Sequence, residues 1–371
     1  MPIRLLTTLI FLGVVLLLLL VGPFLTPIAE LDTVAAEQLA SEQSQFIDLD
    51  GYRIHYIKRG QGTPSYVLLH GFMGNTFSWR HVIDALASGR ASLAADASAI
   101  DVTDTPNTSN GAAALASTSS ESSTLPNESA DEPPIVSAID ASATVLAYDR
   151  LGFGLSGRPV REDWQGGDNP YLFIQQQQRV LELLDRLELE DVILVAHDTG
   201  AALALALVQN HPERFRGVVF VAPVPEVTSN LRGLWRLLYR TPQVDRLGPL
   251  FMRQLAGEPG QQMLRSSLAD PDNIDLETIE GYRRNVRVDN WDDALWELSR
   301  ASLSTQSPIP APLSVPALVI NSDNNQLVAI ERSRELASQL DADMVTLEGC
   351  AHLLQESCPV ALSENILQWA Q

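Results

Sequence analysis

Short, continuous apolar runs recur along this chain at YVLLHG (66–71), ATVLAYD (143–149), DVILVAHD (191–198), GVVFVAP (217–223), PALVINSD (316–323) and ADMVTLEG (342–349). Between them lie segments whose apolar residues repeat at roughly 3.6 positions, the period of a helix. A strand that is apolar on one face only alternates, whereas a strand that is apolar throughout is covered on both faces. Such runs separated by helices predict a mainly parallel sheet flanked by helices, so the fold class is α/β. FIDLDGYRIHYIKRG (46–60) instead alternates around Asp50-Gly51, the pattern of a β-hairpin.

Three stretches stand apart from this rhythm. LLTTLIFLGVVLLLLLVGPFL at 5–25 carries no charge, and about 20 apolar residues suffice to cross a bilayer core of about 30 Å. Residues 1–25 are therefore expected to be a transmembrane anchor, followed by a polar tether over 26–45. The run is longer than the signal-peptide core of about 7–15 residues. Arg4 precedes it while Glu30, Asp32 and Glu37 follow. By the positive-inside tendency this makes a single-pass protein whose folded domain, 46–371, lies on the non-cytoplasmic side. From 89 to 142 the chain is rich in Ala, Ser, Thr and Asp, has no aromatic residue, and sets eight acidic residues against Arg90. Such a segment buries too little apolar surface to offset its ordering entropy, so a disordered insertion is expected. Leu, Trp and Arg at helical spacing over 226–312 predict a folded helical cap instead. Within it Arg232, Arg236 and Arg240 recur at i, i+4, i+8 as a solvated cationic stripe.

Charge narrows the function. Acidic residues outnumber basic ones 46 to 25, a net charge of −21, with Lys58 the one lysine. Phosphate would be repelled, which sets nucleic-acid binding aside. Cys350 and Cys358 are too few for a four-ligand zinc site or a disulfide framework, and are expected as two small buried residues rather than a bridge. No metal is expected.

Chemistry concentrates at Ala196-His197-Asp198-Thr199-Gly200, which closes one predicted strand and opens the helix AALALALVQNH. Small residues at both ends allow a tight turn that thrusts the central side chain above the sheet, the pattern of a nucleophile elbow with Asp at its centre. His70-Gly71-Phe72 closes an earlier strand, where a second oxyanion amide belongs. After the last strand, Gly349-Cys350-Ala351-His352 supplies a histidine.

On the segments HGFMGNTFSW (70–79), YDRLGFGLSGRP (148–159), VAHDTG (195–200) and GCAHLLQE (349–356), the chain resembles the α/β-hydrolase superfamily over about residues 46–88 and 143–371. Its Asp elbow resembles the epoxide-hydrolase and dehalogenase branches. EGYRRN and DDALWEL in the cap resemble membrane-anchored relatives that use Ser. The resemblance implies that Asp198 attacks a small apolar electrophile and that His352 activates the water that hydrolyses the resulting ester, without a cofactor. Phe72 and Thr199 would supply the oxyanion amides. Dehalogenases place an Asn after His-Gly or a Trp beside the nucleophile, where this chain has Phe72 and Thr199, so an epoxide is favoured. Tyr239 and Tyr282 of the cap are then the expected proton donors. At the family's acid position stands Asn325, a neutral amide that orients imidazole but does not balance imidazolium. Asp323 is taken as the acid, with Glu226 and Asn325 as alternatives. His197 and His70 are read as structural. An esterase-like relative, and a non-catalytic descendant that binds a ligand or partner, are the competing functions.

Overall fold

Residues 3–91, 143–227, 237–239 and 241–371 are described by the structure, a computed structural model, without the side chains of 3–6 and 9. The expected insertion beyond residue 91 and the Arg232/Arg236/Arg240 stripe lie outside the described residues.

Among those residues eight strands form one sheet, in the order β1-β2-β4-β3-β5-β6-β7-β8. They are β1 (Gln45–Leu49), β2 (Tyr52–Arg59), β3 (Ser65–Leu69), β4 (Thr144–Tyr148), β5 (Val192–His197), β6 (Phe215–Val221), β7 (Ala317–Ser322) and β8 (Asp343–Leu347). The β1–β2 hairpin pairs antiparallel through Asp50 and Gly51, both with positive φ as a two-residue turn of the favoured twist requires. From β4 to β8 every neighbour is parallel.

The apolar runs do what their composition implies. In β3, Val67 and Leu69 join one core while Tyr66 and Leu68 join the other, and β5 divides in the same way. On the first face lie α3 (Phe173–Arg186), α4 (Gly200–Asn210) and α9 (Ile330–Leu340). α2 (Ile83–Ser88), α10 (Leu354–Ser357) and α11 (Pro359–Trp369) cover the second.

Between β6 and β7 the described chain forms α5 (Pro242–Ala256), α6 (Glu258–Ser266), α7 (Leu276–Arg283) and α8 (Trp291–Ser302). Local chemistry starts two of them: Thr241 accepts from Val244 N before Pro242, and Asp275 accepts from Thr278 N. This segment packs on loops at the C-terminal ends of the strands, through Asn75 Nδ2 to Gly281 O, Asn285 Nδ2 to Met73 O and Leu353 N to Ser267 O.

The membrane expectation is corrected. Among the described residues no helix is long and apolar enough to cross a membrane. α1 (Ile3–Leu25) contains Pro23. α1 lies along α5, where Gln243 Nε2 donates to Leu20 O. Residues 29–37 continue this contact: Arg253 donates to Ala29 O, Val34 bridges Val288, and Arg53 pairs with Glu37. With the anchor go the single-pass topology and the non-cytoplasmic placement derived from it.

Candidate active site

β5 delivers Asp198 to the turn before α4 in a left-handed conformation, φ 50°, uncommon for a residue with a side chain. Backbone bonds hold it there: Asp198 N donates to Val221 O at 3.1 Å, and Asp198 O accepts from Ala201 N and Val224 N at 3.0 Å. Two glycines leave the required space. A Cβ on Gly200 would meet Leu69 O at 2.7 Å, and one on Gly71 would meet the Asp198 side chain at 2.5 Å. The small residues around the Asp are thus explained by close approach between the ends of β3 and β5.

The two Asp198 oxygens differ. Phe72 N–H donates to Oδ2 at 2.9 Å, while Oδ1 faces His352 Nε2 at 3.8 Å. Thr199 occupies the N-cap of α4, and its buried Oγ1 has no hydrogen-bond partner among the described residues. His352 lies in the loop after β8, with a side chain 8% exposed. Burial, reinforced by His197, pushes it down to about 4, so the ring is neutral at neutral pH. His197 Nε2 donates to His352 O at 3.1 Å and so holds the loop that carries the second histidine. His70 is buried and neutral as well: Nδ1 donates to Gly71 O at 2.8 Å and Nε2 accepts from Arg150 N at 3.0 Å.

Four expectations do not survive the geometry. Asp323 does not reach His352, because its Oδ1 turns to Gly349 N at 2.9 Å. Glu226 is on the surface, paired with Arg332 at 2.5 Å. Asn325 is the residue that touches His352, Nδ2 lying 3.2 Å from Nδ1. The two cap tyrosines have other partners: Tyr239 Oη is 2.5 Å from Ser299 Oγ, and Tyr282 donates to Glu356 Oε1 at 2.9 Å. Cys350 and Cys358 are joined in a disulfide, Cα–Cα 5.9 Å, that brackets His352. The intervening turn brings them together, which residue type alone did not reveal.

Sequence reasoning missed Arg150, Glu356 and Asn321. Arg150 donates to Gly71 O at 3.3 Å, and the Asp198 carboxylate is among the groups that favour its charge against the cost of burial; its place within YDRLGFG was the available signal. Glu356, one helical turn beyond His352, accepts from Arg80 at 2.5 Å as well as from Tyr282, tying α7 to the histidine loop. A cavity of about 500 Å³ lined by Arg161, Trp164, Asn169, Leu172, Glu297 and Arg300 shares no residue with the Asp198–His352 site.

A family model described as the alpha/beta hydrolase fold matches residues 123–359. A haloalkane dehalogenase of Mesorhizobium japonicum is 25% identical over 251 residues, 60% of this chain and 74% of that one. A soluble epoxide hydrolase of Corynebacterium sp. is 28% identical over 163 residues, 44% of this chain and 47% of that one, so this chain spans under half of its length. The solved structure of the epoxide hydrolase CorEH without ligand has a TM-score of 0.58 at 16% identity, over 88% of this chain and 97% of that chain, a likeness of fold.

Proposed function

This chain belongs to the α/β hydrolase fold family, and from that premise we propose that Asp198 is its nucleophile and that it attacks an sp³ carbon of a small apolar electrophile such as an epoxide. The observation that carries this reading is the asymmetry of the carboxylate. Phe72 N–H engages Oδ2, which leaves Oδ1 open on the side of His352.

Oδ1 supplies the electron pair of the new C–O bond, and the electrophile's carbon–oxygen or carbon–halogen bond breaks with its pair going to the leaving atom. The product is an alkyl ester of Asp198. In the second half water attacks the ester carbonyl, and its proton must pass to a base, the role of His352. Negative charge then gathers on Oδ2, where the Phe72 amide already points; a preorganised donor of this kind contributes about 3–4 kcal/mol. The base returns the proton to the departing alkoxide, and Asp198 releases the last proton to solvent.

A second reading has its own support. An epoxide oxygen needs a proton on opening, yet Tyr239 and Tyr282 are hydrogen-bonded to Ser299 and Glu356. A halide needs none, and a haloalkane dehalogenase is among the matched relatives.

Incubation of His352→Gln, which lacks the base for ester breakdown, with a panel of terminal epoxides and 1-haloalkanes distinguishes the two. Intact-mass and peptide analysis should place one alkyl adduct on Asp198, absent in Asp198→Asn. An adduct on another residue, or none from the whole panel, removes Asp198 as nucleophile.

A further inference from the structure

The acid position holds an amide, and the amide's orientation is determined by its surroundings. Asn325 Oδ1 accepts from two backbone donors, Leu327 N at 3.0 Å and Val328 N at 3.1 Å. Its Nδ2 donates to Asn321 Oδ1 at 2.8 Å and faces His352 Nδ1 at 3.2 Å. Asn321 is determined in turn: Nδ2 donates to Val328 O at 3.1 Å and Ser333 Oγ at 2.8 Å, while Oδ1 also accepts from Ser322 N at 2.8 Å. Both amides are buried, Asn321 fully and Asn325 to 7% exposure. Turning Asn325 over would set its Nδ2 against two N–H groups and its Oδ1 against the oxygen of Asn321. In a site without solvent each such mismatch costs about 1–3 kcal/mol.

A ring nitrogen that meets an N–H must be the acceptor, so His352 carries its proton on Nε2. The other side of the ring agrees, because Nε2 faces the Asp198 oxygen, which favours a donor over a lone pair. This is the reverse of the tautomer that ester hydrolysis requires. To accept a proton from water, Nε2 needs its lone pair, and a neutral ring then carries its proton on Nδ1, against the N–H of Asn325.

We propose that Asn325, oriented by Asn321, is a positioning residue that holds His352 as the Nε2–H tautomer, so that Asp198 is alkylated faster than its ester is hydrolysed and the alkylated protein accumulates. The tautomer stands on the hydrogen-bond network alone; the accumulation rests on the reading of Asp198 as nucleophile. The first half needs no base, since the carboxylate oxygen brings the electron pair. In the second half the proton of water has no acceptor on His352 until the ring exchanges tautomers and breaks its bond to Asn325. In a serine-protease triad the change from Asp to Asn leaves the wrong tautomer and lowers turnover about 10⁴-fold.

The test has two arms on the full chain. Nitrogen-15 NMR of labelled protein near pH 7.5, assigned with His352→Gln, should show Nδ1 unprotonated and Nε2 bearing hydrogen. Hydrogen on Nδ1 overturns the proposal whatever the substrate. In the second arm, mixing with the labelling electrophile should give about one equivalent of ester that decays slowly. The double variant Asn321→Ala/Asn325→Asp removes the opposing oxygen and offers a carboxylate to Nδ1. It should move the proton to Nδ1 and speed ester breakdown at least about 100-fold, the lower end of what a positioned base contributes. A variant that shifts the tautomer yet leaves breakdown unchanged overturns the link between Asn325 and hydrolysis. If no electrophile labels Asp198 while the wild-type ring is Nε2–H, the nucleophile reading fails and the tautomer assignment stands.

Discussion

His70 shows how one side chain carries both structure and a pH response. Its two nitrogens have opposite roles, Nδ1 donating to Gly71 O and Nε2 accepting from Arg150 N, so a second proton would break the latter bond. Burial, with the Arg150 charge beside it, pushes this histidine down to about 3. A histidine in the unfolded chain takes its proton near pH 6.5. Between those values the unfolded state binds a proton that the folded state does not, so His70 makes stability fall as pH drops below about 6.5. Its share should reach about 2 kcal/mol by pH 5. Urea unfolding of wild type and His70→Gln at pH 7, 6 and 5 checks this. The variant should be weaker at pH 7, through the lost bonds, and lose less on acidification; parallel curves would show that His70 does not titrate in this way. The elbow residues, by contrast, were readable from the chain. Gly71 and Gly200 stand where a Cβ would collide with Asp198 and with β3, a constraint that residue identity alone records.

The loop after β8 gathers the features that a linear reading could not join. It carries His352, is closed by the Cys350–Cys358 disulfide, and is held by His197 through the His352 carbonyl. Through Glu356 it also meets α7, so the inserted helices and the histidine share a support. Loop-closure entropy for a separation of eight residues gives the bridge about 2.5 kcal/mol of stability. Replacing both cysteines with Ala, or reducing wild type, should lower the unfolding free energy by roughly that amount. Equal denaturation midpoints for oxidised and reduced protein would mean that the loop holds its shape without the bridge. α1 makes the complementary point. Its apolar sequence read as an anchor, yet it lies along α5, and the segment after it pairs with residues near Val288. Hydropathy reports how apolar a helix is and says nothing of which surface receives it.

For the molecule as a whole, the chain on either side of residues 92–142 is already joined, since Ala143 N donates to Ala87 O at 3.2 Å where β4 begins. Exchanging residues 92–142 for a short Gly-Ser bridge should therefore leave the melting midpoint within about 2 °C, because the composition of that span offers little apolar surface to bury. A loss of several kcal/mol would identify it as part of the folded core. The sheet was legible because burial on both faces writes continuous apolar runs into the central parallel strands, and because Asp50-Gly51 marks the β1–β2 hairpin by its turn chemistry. The elbow was legible because close packing restricts it to small residues at fixed spacing. By itself, then, the chain determined the α/β class, the strand positions and the place of Asp198. It left open which group meets His352, where the tyrosine hydroxyls turn, how the cysteines pair and what α1 lies against. Each of those is a choice among partners far apart in the chain, settled by hydrogen-bond direction and packing after the strands have assembled. Asp323 and Asn325 are two residues apart, and only the folded loop decides that the carboxylate turns to Gly349 while the amide turns to the histidine.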